Sequence, residues 1–280
     1  MAAYSYRIVN VFTRGTDAFS GNPLCVLERA QGLDAAQMQS IARQFNLSET
    51  TFILPSERAS ARVRIFTPSY EMPFAGHPTL GTAHVCRALG LAGDALTLEM
   101  QAGIIPVRAQ GRAWTLQANA PRWREVGESR ETLAAMLGLA AADVADRPLW
   151  VSTGREQLIV PLTTAAAVRR AQPRAEALAR FVSEDGASMA YVFAPDGSAL
   201  LARFFFPQGP AVLEDPATGS ATANLGGWCI AVGRVLPFRL DIAQGEQTGR
   251  PSALLLEVDR ERRIFVSGEV IELARGTLTL

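Results

Sequence analysis

Three ionisable residues of this chain stand at turns or at the ends of predicted elements, where a side chain can reach a substrate. Glu49 precedes the apolar run TTFIL, His77 is one of two histidines, and Asp215 precedes Pro216. A carboxyl group that loses water at a closed interface has a raised pKa, which suits it for taking a proton from carbon and returning it. Glu49, His77 and Asp215 are therefore the candidate catalytic residues for acid–base chemistry.

Each of these residues also fits a purely structural role. Most glutamates are solvated, and a lone histidine is more often a hydrogen-bonded interior residue than a catalytic one. Asp215 followed by Pro216 is a favourable pair for the cap and first position of a helix. The second histidine, His84, is assigned the interior role.

Glycine-rich turns lead into two apolar segments of small residues that predict buried helices. The first N–H groups of a helix have no partner within it and carry a partial positive charge, so a helix start can hold a carboxylate. Glycine lets the backbone approach such a ligand closely. We predict substrate-binding roles for residues at these two helix starts, among them Gly76, Thr218 and Gly219.

The two helix starts belong to an internal repeat. Residues 64–83 read RIFTPSYEMPFAGHPTLGTA, and residues 203–221 read RFFFPQGPAVLEDPATGSA. The alignment sets Gly81-Thr82-Ala83 over Gly219-Ser220-Ala221. A repeat separated by about half the chain is too long for a solenoid and predicts two similar halves that face one another.

The same alignment shows where the halves differ. It places His77-Pro78 over Asp215-Pro216 and, further back, Glu49 over Ser188. Positions that agree are apolar, glycine or proline, as a shared fold requires. The differing positions carry the ionisable groups, which favours a catalytic interpretation of them.

Periodicity predicts an α+β chain. Helical spacing after the capping residue Asp34 predicts an amphipathic helix to Phe45, and segments that are apolar on nearly every face predict buried helices over 79–89 and 218–232. Two more helices are predicted over 131–137 and 165–181. Strands are predicted over 6–12, 23–28, 50–54, 61–67, 95–100, 104–109, 112–118, within 150–161, and over 189–194, 201–206, 254–258, 264–266 and 268–273.

These elements predict two pseudo-symmetric domains, each a curled, barrel-like β-sheet around a central buried helix. We place the first domain over 1–121 and the second over 122–280, with a linker near 121–128, where turn-forming and charged residues interrupt the pattern. The pattern also allows the last strand of the chain to belong to the sheet of the first domain.

Composition excludes several functions. Acidic and basic residues number 27 each, which argues against a nucleic-acid surface, and no apolar run approaches the ~20 residues of a membrane span. Every basic residue is arginine, so Schiff-base and Walker A chemistry has no lysine to use. No metal-ligand pattern surrounds the histidines. Three cysteines in apolar surroundings fit reduced thiols, and the N-terminus lacks a signal-peptide core, so a cytoplasmic protein is expected.

The chain resembles the PhzF-like proteins, a family that includes the phenazine-biosynthesis isomerase acting on trans-2,3-dihydro-3-hydroxyanthranilate. The matching segments span almost the whole chain and are together highly specific: Gly21–Pro23, Asn46–Phe52, Arg64–Pro68, Pro73–Pro78, Glu214–Ser220 and Gly249–Ser252. The resemblance implies a diaminopimelate epimerase-like fold and no cofactor or metal. It also implies a homodimer and a small carboxylic acid as substrate.

By this resemblance Glu49 matches the glutamate that abstracts and returns a proton. His77, Asp215 and Ser220 match residues arranged around the substrate. The epimerase carries a cysteine at each helix start, where this chain has His77 and Asp215, so a two-thiol mechanism is not expected. Two alternatives stay open: an epimerase or racemase of a small amino or hydroxy acid, and a non-catalytic interaction protein that retains the fold.

Overall fold

The computed structural model describes residues 1–280, which divide into two compact units. Unit 1 comprises Met1–Gln117 and Ser267–Leu280, and unit 2 comprises Ala118–Val266. The division lies between Gln117 and Ala118, whereas the sequence analysis placed it at 121–122, and the C-terminal segment belongs to unit 1. None of the helices has the length and apolar character needed to cross a membrane.

Unit 1 is a closed sheet around one helix. The strands are β1 (Ala3–Val11), β2 (Asn22–Leu27), β3 (Glu49–Leu54), β4 (Ala61–Phe66), β5 (Glu71–Met72), β6 (Ala95–Met100), β7 (Gly103–Gln110), β8 (Ala113–Gln117) and β17 (Ile264–Thr279), which belongs to unit 1 from Ser267 onward, and the helices are α1 (Ala35–Phe45) and α2 (Gly76–Ala88). Strands β1, β2, β3, β4, β6, β7, β8 and β17 pair in that order, and β17 pairs back onto β1.

Unit 2 repeats this order of elements. The strands are β9 (Arg122–Glu125), β10 (Leu149–Ser152), β11 (Glu156–Pro161), β12 (Ala190–Asp196), β13 (Ala199–Gln208), β14 (Ala211–Asp215), β15 (Phe238–Gln244) and β16 (Ser252–Val258), and the helices are α3 (Arg130–Leu137), α4 (Ala165–Arg170), α5 (Ala175–Leu178) and α6 (Gly219–Ala231). The sheet pairs β9, β10, β11, β12, β13, β15 and β16 in sequence, with β14 added to β13.

Parallel pairs occur at matching places in the two units. In unit 1 the parallel pairs are β2–β3 and β4–β6, and in unit 2 they are β11–β12 and β13–β15. Each crossover between parallel strands carries helical structure, as such connections require. The predicted α+β class, with a curled sheet around a buried helix in each half, is confirmed.

Helices α2 and α6 form the centres of the units because their sequences are small and apolar on nearly every face. Helix α2 packs against the sheet so closely that a side chain on Gly81 would lie 2.6 Å from Leu24 Cδ2. Helix α6 begins and ends within one residue of its prediction, whereas α2 begins at Gly76, earlier than predicted.

Some predicted elements were wrong. The helix predicted over 165–181 is two short helices, α4 and α5, because Pro173 lies between them and cannot continue a helix. The strands predicted over 264–266 and 268–273 are one strand, β17. Strands β9 and β15 were not predicted, and the proposed linker contains β9.

Strand register shows which residues of the two units correspond. Phe66 on β4 pairs with Glu71, and Phe205 on β13 pairs with Glu214. Each glutamate binds an arginine two residues before its phenylalanine, Arg64 at 2.6 and 2.7 Å in unit 1 and Arg203 at 2.6 and 3.0 Å in unit 2. These ion pairs fix the strand that leads into each central helix.

The register corrects the repeat alignment. From the paired glutamates the chains read EMPFAGH in unit 1 and EDPATGS in unit 2, so Gly76 corresponds to Gly219 and His77 to Ser220. The alignment that set Gly81 over Gly219 is therefore wrong, and Asp215 corresponds to Met72. Likewise the residue corresponding to Glu49 is Met189, not Ser188, because strand pairing matches Phe52 with Arg64 and Val192 with Arg203.

Candidate active site

Glu49 and His77 meet in unit 1. Glu49 is the first residue of β3, and His77 is the second residue of α2. Glu49 Oε2 lies 3.4 Å from His77 Nε2, and the side chains of Glu49 and His77 are 15% and 7% exposed. The structure thus places a slightly accessible carboxyl beside a buried imidazole, an arrangement that acid–base chemistry can use.

Burial keeps His77 neutral. Loss of water lowers the pKa of the imidazole to about 3, although a hydrogen bond to the backbone of Pro23 opposes this shift. Proline has no N–H, so the ring N–H donates to the Pro23 carbonyl. Nε2, the ring nitrogen beside Glu49, is then an acceptor, and the contact with Glu49 is not an ion pair at neutral pH.

The N-terminal hairpin positions both groups. Strand β2 runs parallel to β3 with Leu24 opposite Glu49, so the Pro23 carbonyl lies where α2 begins. The turn before β2 needs glycine: Gly21 has a φ of +79°, and a side chain there would lie 2.5 Å from the Val11 carbonyl oxygen. The segment Gly21–Pro23 therefore acts as a support for His77.

Asp215 and Thr218 lie in the turn before α6 in unit 2. Asp215 ends β14, and its Oδ2 accepts a hydrogen bond from Thr218 Oγ1 at 2.5 Å. Buried Gln244 binds this turn through the Thr218 backbone N–H at 3.2 Å and the Asp215 carbonyl at 2.8 Å. The helix begins at Gly219 with Thr218 as its cap, so Asp215 and Pro216 are not the cap and first residue that the structural interpretation assumed.

Ser220 is the second residue of α6 and corresponds to His77. Gln157 Nε2 on β11 donates to Ser220 Oγ at 3.0 Å, and Asn224 Nδ2 donates to Gln157 Oε1 at 2.8 Å. The sequence analysis did not identify Gln157, Asn224 or Gln244. The available signal was polarity: Asn224 is an amide within a helix that is otherwise apolar or small.

Neither central helix has a side-chain cap. Ala75 precedes Gly76 in unit 1, Thr218 precedes Gly219 in unit 2, and neither cap residue makes a side-chain hydrogen bond to the helix start. The first-turn N–H groups are therefore suited to an anion such as a carboxylate. Gly76, Thr218 and Gly219 are placed where the sequence predicted, at the helix starts.

The three cysteines do not have the properties of reactive thiols. Cys25, Cys86 and Cys229 are free and buried, and burial raises the pKa of Cys86 and Cys229 to about 12. Burial raises the pKa of Cys25 further. A thiol needs its thiolate form to take a proton, so these residues do not supply a two-thiol mechanism.

Two curled sheets, each around a buried helix, define a protein of the diaminopimelate epimerase-like fold class. Within this class the chain belongs to the phenazine biosynthesis-like (PhzC–PhzF) family, whose model matches residues 9–276.

The proteins that this chain is similar to include isomerases and a PhzF-family protein. The chain is 36% identical to the trans-2,3-dihydro-3-hydroxyanthranilate isomerase of Pseudomonas chlororaphis, covering 99% of this chain and 100% of the relative. It is 39% identical to an uncharacterized isomerase of Pasteurella multocida, covering 99% and 95%. A crystal structure of a Bacillus anthracis PhzF-family protein aligns over 100% of both chains with a TM-score of 0.89 and 27% identity. The protein is an isomerase of the PhzF type.

Proposed function

We propose that the protein moves a proton between carbons of a small cyclic carboxylic acid, trans-2,3-dihydro-3-hydroxyanthranilate or a close analogue, without a cofactor. The observation that carries this proposal is the Glu49–His77 contact of 3.4 Å at the uncapped start of α2. The identity of 36% to an isomerase of that name supports the substrate class. Free buried cysteines support a reducing compartment, the cytoplasm.

In the proposed reaction Glu49 takes a proton from one carbon and returns it to another. One C–H bond breaks and one forms, so atoms and electrons balance without an oxidant or reductant. When Glu49 holds the proton, the Nε2 lone pair of neutral His77 can accept a hydrogen bond from it. Helix-start N–H groups stabilise the charge that develops on the substrate.

We assign Asp215 to proton transfer in the same reaction. We assign Thr218, Gly219 and Ser220 to substrate binding, together with Gly76 at the helix start beside His77. Asp215 and Thr218 are joined by a 2.5 Å hydrogen bond, which gives the turn before α6 a defined shape.

The first prediction tests Glu49. Glu49→Gln keeps the shape of the side chain but removes the proton acceptor, so turnover of trans-2,3-dihydro-3-hydroxyanthranilate should fall by about 10²–10⁴-fold. Incorporation of solvent deuterium into the product should fall in parallel. Glu57→Gln, at an exposed glutamate, is the matched control and should retain wild-type turnover. A folded Glu49→Gln protein with near-wild-type turnover would exclude Glu49 as the base.

A further inference from the structure

Two buried amides connect a strand of unit 2 to the start of α6. Asn224 on α6 and Gln157 on β11 are 0% and 1% exposed, and Asn224 Nδ2 donates to Gln157 Oε1 at 2.8 Å. Buried amides are costly unless their hydrogen bonds are made, so the partners of this pair determine what it does.

Backbone groups fix the orientation of Asn224. Its Oδ1 accepts from the Thr153 N–H at 2.7 Å, and its Nδ2 donates to the Arg155 carbonyl at 2.9 Å. A backbone N–H can only donate and a carbonyl can only accept, so the amide has a single orientation. Its second N–H must then point to an acceptor, which is Gln157 Oε1.

Gln157 transmits this orientation to Ser220. With Oε1 occupied by Asn224, the amide nitrogen of Gln157 faces Ser220 and donates to Oγ at 3.0 Å. A hydroxyl has one proton, and a hydroxyl that accepts from Gln157 must direct that proton elsewhere. Ser220 is thereby oriented as a donor at the start of α6.

Unit 1 shows that the fold does not need these amides. The sixth residue of α6 is Asn224, and the sixth residue of α2 is Gly81. Where Asn224 meets Gln157 in unit 2, Gly81 meets Leu24, whose Cδ2 lies 2.6 Å from the place of a Cβ. An apolar contact therefore suffices for packing at this position, so packing does not explain why unit 2 has the polar pair Asn224 and Gln157.

We propose that the hydrogen bonds from Thr153 through Asn224 and Gln157 make Ser220 a hydrogen-bond donor to the substrate; we call this chain of hydrogen bonds the polarity relay. A donor at the start of α6 selects an acceptor group of the substrate, a carboxylate. The inference rests on the proposed function in that it requires Ser220 to contact the substrate. Gln157 and Asn224 are positioning residues, since they act through Ser220.

The test measures binding of anthranilate, an unreactive aromatic carboxylate, and of 2-aminobenzamide by calorimetry. Gln157→Glu replaces the donor by an acceptor, so at about pH 8 the Ser220 hydroxyl turns toward the introduced carboxylate and away from the ligand. Loss of a hydrogen bond to a charged group should weaken anthranilate binding by about ten- to hundredfold and remove the preference for it over the amide. Burial raises the pKa of a carboxyl, so at about pH 6 the introduced group is protonated and anthranilate binding recovers.

A purely structural role would not produce this pH profile. Gln157→Met removes the donor without adding a titratable group and should show only a small, pH-independent loss. On a Ser220→Ala background Gln157→Glu should weaken anthranilate binding less than it does in the wild-type background, because only direct repulsion between the two carboxylates is left once the hydroxyl is gone. Thermal unfolding of each variant checks its fold. Asn224→Asp gives the same test if Gln157→Glu does not fold, because an ionised aspartate accepts from the Gln157 amide nitrogen and turns Gln157 Oε1 toward Ser220.

Three results would overturn the relay: wild-type anthranilate affinity in folded Gln157→Glu, an equal loss on the Ser220→Ala background, or a wild-type protein that binds no carboxylate. The proposed function fails separately, if the wild-type protein binds anthranilate with the expected pH profile in Gln157→Glu but does not isomerise the dihydro substrate. In that case the relay stands as a carboxylate-selecting device of a different isomerase.

Discussion

At the scale of the residue, neutral His77 has a thermodynamic consequence. Its pKa is lowered to about 3 in the folded chain, while the unfolded chain keeps the ordinary value of 6.5. Below about pH 6.5 the unfolded state therefore binds a proton that the folded state does not. The free energy of unfolding should fall as pH falls from about 6.5 toward 3.

The second prediction uses this slope. His77→Asn removes the titrating group while keeping a donor for the Pro23 carbonyl, so between about pH 5 and 6.5 it should remove a slope of up to about 1.4 kcal/mol per pH unit. Urea unfolding at several pH values measures it. The carboxyls with lowered pKa, such as Glu71 and Glu272, titrate below their ordinary value of 4.5 and so outside this window.

His84 provides the comparison for His77. Its pKa is also lowered by burial, but the side chain is only half-buried, so His84→Asn should remove a smaller part of the slope. A His77→Asn protein with the wild-type slope would show that the pKa of His77 is not lowered in the folded chain.

At the scale of the element, the third prediction concerns the arginine that holds β14 to β13. Arg203 binds Glu214 at 2.6 and 3.0 Å and donates from Nη1 to the carbonyls of Val168 and Ala171 at 3.1 and 2.7 Å. Arg203→Met leaves the carboxylate of Glu214, whose side chain is only 13% exposed, without its partner and should cost about 3–5 kcal/mol of unfolding free energy. Chemical denaturation measures the loss.

An exposed ion pair gives the matched control for Arg203. Arg263 and Asp259 are 54% and 25% exposed, so Arg263→Met should cost about 0–1 kcal/mol. Equal losses in the two variants would mean that the buried pair contributes no more to stability than a surface one.

Elements with a clear period were predictable from the sequence, and strand register was not. Helix α1 follows its apolar spacing and its cap Asp34, which forms a capping box with Gln37. Strand β9 (RWRE) has no apolar alternation and was missed. Gln157 and Asn224 are 67 residues apart and meet only because β11, β12 and α6 take one register, which no local pattern encodes.

The internal repeat can be recognised in the sequence, but which residues of its two copies correspond cannot. Aligning on Gly81-Thr82-Ala83 paired His77 with Asp215, whereas the shared Glu-X-Pro-X-X-Gly pattern pairs His77 with Ser220. The pattern begins at the glutamates that bind Arg64 and Arg203, and it would have given the right frame. The ion pairs between adjacent strands that mark this frame are not apparent in a linear sequence.

At the scale of the whole molecule, the fourth prediction concerns the substrate. We predict that anthranilate protects the two helix starts, segments 72–82 and 213–222, from hydrogen exchange, since a ligand stabilises the state that it prefers. Hydrogen exchange with and without the ligand measures this. Protection of one segment only would restrict binding to that unit.

The fifth prediction concerns assembly. We propose a homodimer, which the PhzF family suggests, and a formal net charge of zero gives little long-range repulsion between copies. Sedimentation at micromolar concentration should therefore give about twice the chain mass of 30.1 kDa. A species of 30.1 kDa would contradict the proposal.

Strand β17 sets an order for biosynthesis. Residues Ser267–Leu280 close the sheet of unit 1, yet they leave the ribosome after all of unit 2 has been made. Until these residues are made, the backbone hydrogen-bonding groups of β1 and β8 that pair with β17 have no partner, although the whole sequence of unit 2 has been translated. The nascent chain carries an unsealed barrel through most of translation, so a chaperone that shields strand edges has its longest opportunity at the N-terminal half.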